Sequence, residues 1–253
     1  MKIKLTIEYD GGKFFGWQKQ KGQISVQESI ENAVSRAFDN RERIELYGAG
    51  RTDAGVHATG QVAHFDVADE SLVKVWKSNV ERLPAAINYY LLDSGAVVIE
   101  AEVASPDFHA RFSAKMRRYK YVIYNRKIKS VIYDKRAWHV ARKLDAETMN
   151  AAAQSLLGNH NFNAFRSARC GAKNPIRTIS EINISRKENF IIAEVAAKSF
   201  LHNQVRIIVG TLVKIGTGDK PLEYVEYLLD SQDRTLAGPT APPHGLYLIK
   251  VEY

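Results

Sequence analysis

The chain carries one stretch unlike the rest, Gly48-Ala49-Gly50-Arg51-Thr52-Asp53-Ala54-Gly55-Val56-His57-Ala58, where three glycines flank an arginine and an aspartate between two apolar segments. Glycine lets the main chain approach a ligand closely and adopt positive φ. A carboxylate at Asp53 is therefore placed where it can act as a nucleophile or a general base. The plainer reading is that Asp53 only shapes a turn, since Asp and Gly dominate turns for local reasons. The length of the loop, and Arg51 two residues before Asp53, weigh against it. His57 and His64 together with Asp53 raise the question of a metal site. Gly55 spoils the helical i, i+4 geometry and no third ligand stands at a recognised spacing, so no metal is expected. Cys170, between Arg169 and Gly171, has no base at a known spacing and reads as an incidental loop residue.

Positioning such a loop requires a real core, and 253 residues with 45% hydrophobic content can supply one, as one large domain or two of ordinary size. Lys and Arg outnumber Asp and Glu by 36 to 28, giving +8 and a pI near 9.4. At that level nucleic acid becomes a plausible partner. No run approaches the ~18 apolar residues of a membrane span, and MKIKLTIEYDGG lacks a signal-peptide pattern. A cytoplasmic location with no membrane partner is expected. With Cys170 the only cysteine, no disulfide can form within the chain.

Hydrophobic periodicity supplies the elements. Ile3, Leu5 and Ile7 alternate with polar residues as in a half-buried strand. Ser25-Val26-Gln27-Glu28 reads as a capping box, and Val26, Ile30, Val34 and Phe38 follow on one helical face. Short strands are expected at Ile44 to Tyr47 and Gln61 to Val67. A helix is expected through Leu72, Val75, Trp76, Val80 and Leu83, ending before Pro84, and then a strand at Ala96 to Val103. The order repeats. A strand at Tyr119 to Tyr124 precedes a helix with Asp145 as N-cap, a Leu144–Met149 staple and Gly158 at its C-terminus. Strands follow at Ile176 to Ile184 and Phe190 to Ala197. A helix carrying Val205, Ile208, Val209, Leu212 and Ile215 comes next, then a short helix after Pro221 and a strand at Leu246 to Val251. Two β-α-β-β-α-β units make an α+β protein of two ferredoxin-like halves sharing an extended antiparallel sheet. The boundary is expected near Ser105-Pro106, giving halves of 1–105 and 106–253, with no linker composition between them.

In order along the chain, YDGGKFFGWQ, GRTDAGVHA, FHARFSA, RRYKY, FLHNQVRIIVG and GPTAPPHGLYL resemble the motifs of the tRNA pseudouridine synthase A family. The resemblance implies the pseudouridine synthase fold and isomerisation of uridine in the anticodon arm, just 3′ of the anticodon. It implies a homodimer gripping that arm across both subunits, with no cofactor. On this resemblance Asp53 is the catalytic aspartate, Arg206 the arginine that pairs with it, and Tyr119 the active-site tyrosine that stacks on the flipped uracil. Arg51 stands beside the flipped nucleotide, and Thr52, His57, Arg111 and Arg118 join Tyr119 in binding substrate. Gln204 departs from the Met usual in the family. The chemistry suits these residues, because a carboxylate can attack C1′ or C6 or take a ribose proton, and a guanidinium opposes its neutralisation by desolvation.

Basic clusters at Arg111 to Arg118, Arg126 to Lys129 and Arg166 to Lys173, with Lys19 and Lys21, are expected to meet the RNA backbone. The alternative is a non-catalytic RNA-binding protein of two RRM-like modules, which share the β-α-β-β-α-β order. The aromatic RRM signature is absent, and a binding platform has no need of an Arg-Thr-Asp loop.

Overall fold

The computed structural model describes residues 1–39 and 43–253, which divide into two compact units. Met1–Lys115 and Leu248–Tyr253 form the first and Met116–Tyr247 the second, so Ser105-Pro106 lies within the first unit.

In the first unit Ile3, Leu5 and Ile7 are fully buried on one face of β1 (Lys2–Tyr9), as alternation dictates. β1 pairs antiparallel with both β3 (His57–Asp66) and β4 (Ala96–Ala104). The strand expected at Ile44 to Tyr47 is only β2 (Tyr47–Gly48), paired with β3. β3 itself begins at His57, four residues earlier than its apolar pattern announced, so the end of the Asp53 loop is already sheet. α1 (Val26–Ala37) is capped as expected: Ser25 Oγ accepts from the Glu28 N–H at 3.3 Å. The Glu28 carboxylate does not close the box but meets Lys19 Nζ at 2.8 Å.

The single helix expected through Leu83 is two. α2 (Glu70–Lys77) starts on Asp69 and stops at Ser78, and α3 (Leu83–Tyr89) follows a short 3₁₀ turn, with Pro84 in its first turn. Proline costs nothing there, since the first helical N–H groups have no partner in any case. Leu83 and Ile87 of α3 are fully buried while α2 buries no residue, so the apolar stripe on α2 overstated its share of the core.

In the second unit β5 (Met116–Tyr124) pairs antiparallel with β9 (Phe190–Ala197), β9 with β8 (Ile176–Lys187), and β8 with β7 (Gly158–Asn161). β6 (Trp138–His139) lies parallel to β5. α4 (Ala146–Gln154) is capped by Asp145 Oδ1, which accepts from the N–H groups of Glu147 and Thr148. It ends at Gln154, so Gly158, at φ +93°, turns the chain into β7 rather than closing the helix. α5 (Gln204–Gly216) is buried on nearly every side, more than its stripe foretold, and α6 (Tyr224–Ser231) follows. β10 (Leu246–Glu252) closes the chain, its residues from Leu248 onward belonging to the first unit. No helix among the described residues is long and apolar enough to cross a membrane.

Candidate active site

Asp53 is half-buried on a loop that a second loop holds by its main chain. A Cβ on Gly11 would collide with the Val56 carbonyl and stand 2.8 Å from the Gly55 carbonyl carbon. One on Gly16 would stand 2.7 Å from the Thr52 carbonyl oxygen and 3.2 Å from the Ala54 nitrogen. Such separations are shorter than carbon tolerates, so YDGGKFFGWQ carries glycine where it lies directly on GRTDAGVHA. Gly16 also takes φ +88°, which disfavours any other residue. The Trp17 N–H donates to the Thr52 carbonyl at 3.1 Å, and the Val56 N–H to the Asp53 carbonyl at 3.1 Å. Gly48 leaves room for the Trp17 indole, which an added Cβ would approach to 2.6 Å.

Side chains finish the clamp. Thr52 Oγ1 and the Tyr9 hydroxyl are 2.7 Å apart and buried. Gln61, fully buried, donates through Nε2 to the Gly50 carbonyl at 2.9 Å. His57 is 3% exposed, and its Nδ1 accepts from the Gly11 N–H at 3.1 Å. Asp10 Oδ1 lies 3.2 Å from the same nitrogen. Arg51 is exposed and makes no side-chain hydrogen bond or ion pair among the described residues. Its guanidinium is therefore available to a polyanion.

In the second unit Tyr119 sits on β5 opposite Val195, 8% exposed, with its ring perpendicular to Phe200 at 5.2 Å. Tyr121, on the same face, is fully buried. Its hydroxyl donates to the Pro242 carbonyl at 2.8 Å, and burial pushes its pKa up. Gly245 packs on this ring, at 2.6 Å for an added Cβ. Arg206 lies in the first turn of α5. Its Nε donates to the Ala241 carbonyl at 2.7 Å and its Nη1 to Asn203 Oδ1 at 2.8 Å, while the Ala241 N–H returns a bond to the Arg206 carbonyl at 3.1 Å. Asn203 supports this from a left-handed conformation, φ +62°, one of the few residue types that enter it readily. One turn on, a Cβ on Gly210 would run into the Pro239 carbonyl oxygen and one on Gly238 would stand 2.6 Å from the Gly210 carbonyl, so GPTAPPHGLYL is pressed against α5. Gln204, 1% exposed, accepts the Leu201 N–H at 2.8 Å, a local cap that Met could not provide.

The remaining sequence candidates are placed as follows. Arg118 forms a two-pronged pair with Glu181, at 2.5 and 2.8 Å. Arg117 is buried and donates to the Lys198 carbonyl. Arg111 is exposed, its guanidinium 5.6 Å over the Phe112 ring. Arg166 donates to the Ala172 carbonyl at 3.1 Å, and Lys129 meets Asp134 at 2.9 Å. Among the described residues no three His, Cys, Asp or Glu side chains gather as metal ligands would. Sequence reading missed Asn203 and Ala241 as the groups that orient Arg206, and Gly11 and Gly16 as those that hold Asp53. The glycines stood in a quoted motif; what hid their role was that their partners lie some forty residues away.

The model of a family described as tRNA pseudouridine synthase matches residues 5–113 and 152–253. The chain belongs to that family. Proteins named tRNA pseudouridine synthase A are similar to it along its whole length. The one from Wolbachia pipientis is 48% identical over 254 residues, covering 100% of both chains. The one from Ehrlichia canis is 46% identical with the same full coverage. The one from Histophilus somni is 47% identical over 100% of this chain and 90% of its own. The mixed α/β, mostly antiparallel build of each unit fits the family's fold, and the activity is isomerisation of uridine in tRNA.

Proposed function

We propose that Asp53 is the catalytic carboxylate and that Arg206 and Tyr119 act with it on a uridine of the anticodon arm, just 3′ of the anticodon. The reading extends to a cytoplasmic homodimer in which each unit is a ferredoxin-like half. β1 flanked by β3 and β4, and the adjacency β5-β9-β8, support that topology in both units. The observation that carries the catalytic assignment is the main-chain clamp of Gly11 and Gly16 on residues 52–56, which fixes Asp53 while Arg51 beside it stays exposed.

The reaction breaks the C1′–N1 bond, turns the uracil and joins C1′ to C5; a proton leaves C5 and N1 ends protonated. Electrons and atoms balance without a redox partner. Attack on C1′, attack on C6 and removal of a ribose proton all require the ionised carboxylate, and a guanidinium at Arg206 favours that form. Tyr119 offers its ring to the extruded uracil, a stacking contact worth roughly 1–3 kcal/mol against a flipping cost of a few. Thr52 and His57 serve the substrate through the loop they hold. Arg51 and Arg111 meet phosphate, and Arg118 does so by exchanging Glu181 for it. Mapping pseudouridine in an unmodified tRNA transcript after incubation with the protein is expected to show new pseudouridine just 3′ of the anticodon. Pseudouridine confined to another arm contradicts the substrate assignment.

A further inference from the structure

Around His64 the first unit carries a run of rings that the reaction does not use. Tyr47 and His64 are cross-strand partners of β2 and β3, with rings stacked at 5.2 Å. The His109 ring stands on His64 at 4.7 Å and Phe112 on His109 at 4.4 Å. The Arg111 guanidinium lies 5.6 Å over Phe112. Main-chain bonds hold the run in place. The Ala110 N–H donates to His64 Nδ1 at 3.1 Å, the Arg111 N–H to His109 Nδ1 at 3.1 Å, and the His109 N–H to Ser113 Oγ at 3.0 Å. The Tyr47 hydroxyl is tied to Glu45 at 2.7 Å.

Exposure is 2% at His64, in the middle of the run, against 41% at Tyr47 and 74% at Phe112, its two ends. An isolated exposed aromatic needs no explanation. Phe112 is different, because its ring packs on His109, tilted by 40°, at the outer end of a ring cluster whose middle member, His64, is buried. Burial also lowers the pKa of His64 to about 4, with that of His109 shifted in the same direction, so the stack is of neutral rings.

We propose that Phe112, backed by His109 and Tyr47 and flanked by Arg111, is a stacking platform for an unpaired nucleobase of the tRNA substrate. Every base has a π-face that an aromatic ring accepts without regard to sequence, and a guanidinium beside the ring adds cation–π attraction or a phosphate contact. Charge decides between occupants. Lys2 lies close enough to act on both His64 and His109, yet it pairs with Asp66 at 3.6 Å and Lys4 pairs with Glu102, so the cation set over the outer ring is Arg111. A polyanion complements Arg111 and the chain's net charge of +8, whereas a second copy would bring the same excess of cations.

The proposal rests on tRNA being the substrate, and its test reads binding without turnover so that the two can fail separately. Fluorescence anisotropy of the full chain is measured with three probes at one salt concentration: an unmodified tRNA transcript, a single-stranded RNA oligonucleotide and a blunt RNA duplex. Phe112→Leu is expected to weaken binding of the first two about tenfold and of the duplex less than twofold, with Phe112→Tyr restoring affinity. Light scattering is expected to give the same mass for all three proteins. Unchanged tRNA affinity in Phe112→Leu, equal losses on single strand and duplex, or a change in oligomeric mass each overturns it.

Discussion

Around Asp53 the loop is held first through main chain, with the side chains of Tyr9, Gln61 and His57 finishing the clamp: Gly11 and Gly16 lie on residues 52–56 with no room for a Cβ, and the Trp17 and Val56 N–H groups bond within the same layer. Around Arg206 the fixing contacts are made by the side chain itself, which reaches Ala241 and Asn203 through separate nitrogens. The difference follows from the two groups. Asp is short, so where its carboxylate can reach is set by the loop that carries it. Arg is long, and its planar fork can be aimed by two acceptors while the helix beneath it stays an ordinary buried helix.

The comparison breaks most visibly at the glycines. Gly16→Ala adds a methyl 2.7 Å from the Thr52 carbonyl oxygen at a positive φ, so the Asp53 loop must move. A displacement of about 1 Å in a catalytic group costs on the order of 10²-fold in turnover, and tritium release from tRNA labelled at uracil C5 is expected to fall by at least that much. Gly22→Ala is the control. Gly22 also has positive φ, +74°, but nothing lies within 4 Å of its Cβ, so only backbone strain of about 1 kcal/mol is expected, with turnover near wild type. Equal activity in the two variants would mean that the close contact does not position Asp53.

A smaller effect is expected at Arg206→Lys. Lysine keeps the charge but cannot reach Ala241 and Asn203 at once in the same plane. Hydrogen bonds to charged groups are worth about 1.5–3 kcal/mol, so turnover is expected to drop roughly 10- to 100-fold while tRNA affinity changes little. A lysine variant as active as wild type would reduce the side-chain network to packing.

How much of this the sequence announced depended on the range of the signal. α1, α4, β8 and β9 rest on local cues, Ser25 and Asp145 as caps and short runs rich in Ile and Val, and they formed where expected, although α4 ends at Gln154 rather than at Gly158 and β8 runs on to Lys187. The stretch through Leu83 misled because apolar spacing continued across Ser78-Asn79, where the helix ends, and Pro84 begins α3 rather than terminating α2. The early start of β3 at His57 was hidden by polar and small residues whose backbone pairs with β1, Ala58 opposite Tyr9. The motifs exposed Asp53, Tyr119 and Arg206 as residues. Their supports were not legible, since Gly16, Asn203 and His64 acquire meaning only from partners that the fold brings near.

Burial of His64 also has a consequence for stability. Its folded pKa, about 4, lies below the ordinary 6.5, so the stability gained by burying the neutral ring is full above pH 6.5 and is lost as pH falls from 6.5 toward 4. The loss reaches on the order of 2–3 kcal/mol.

Asp53→Asn tests the central claim most directly. Asparagine keeps the shape and the capacity to make turn bonds, and both residues accept unusual φ, so a purely structural Asp53 would tolerate it. The carboxylate, as nucleophile or base, would be gone. The account predicts a folded protein with near-normal melting temperature and tRNA affinity that releases no detectable tritium from tRNA labelled at uracil C5. Tritium release by Asp53→Asn at a rate near wild type would show that Asp53 is not the catalytic carboxylate.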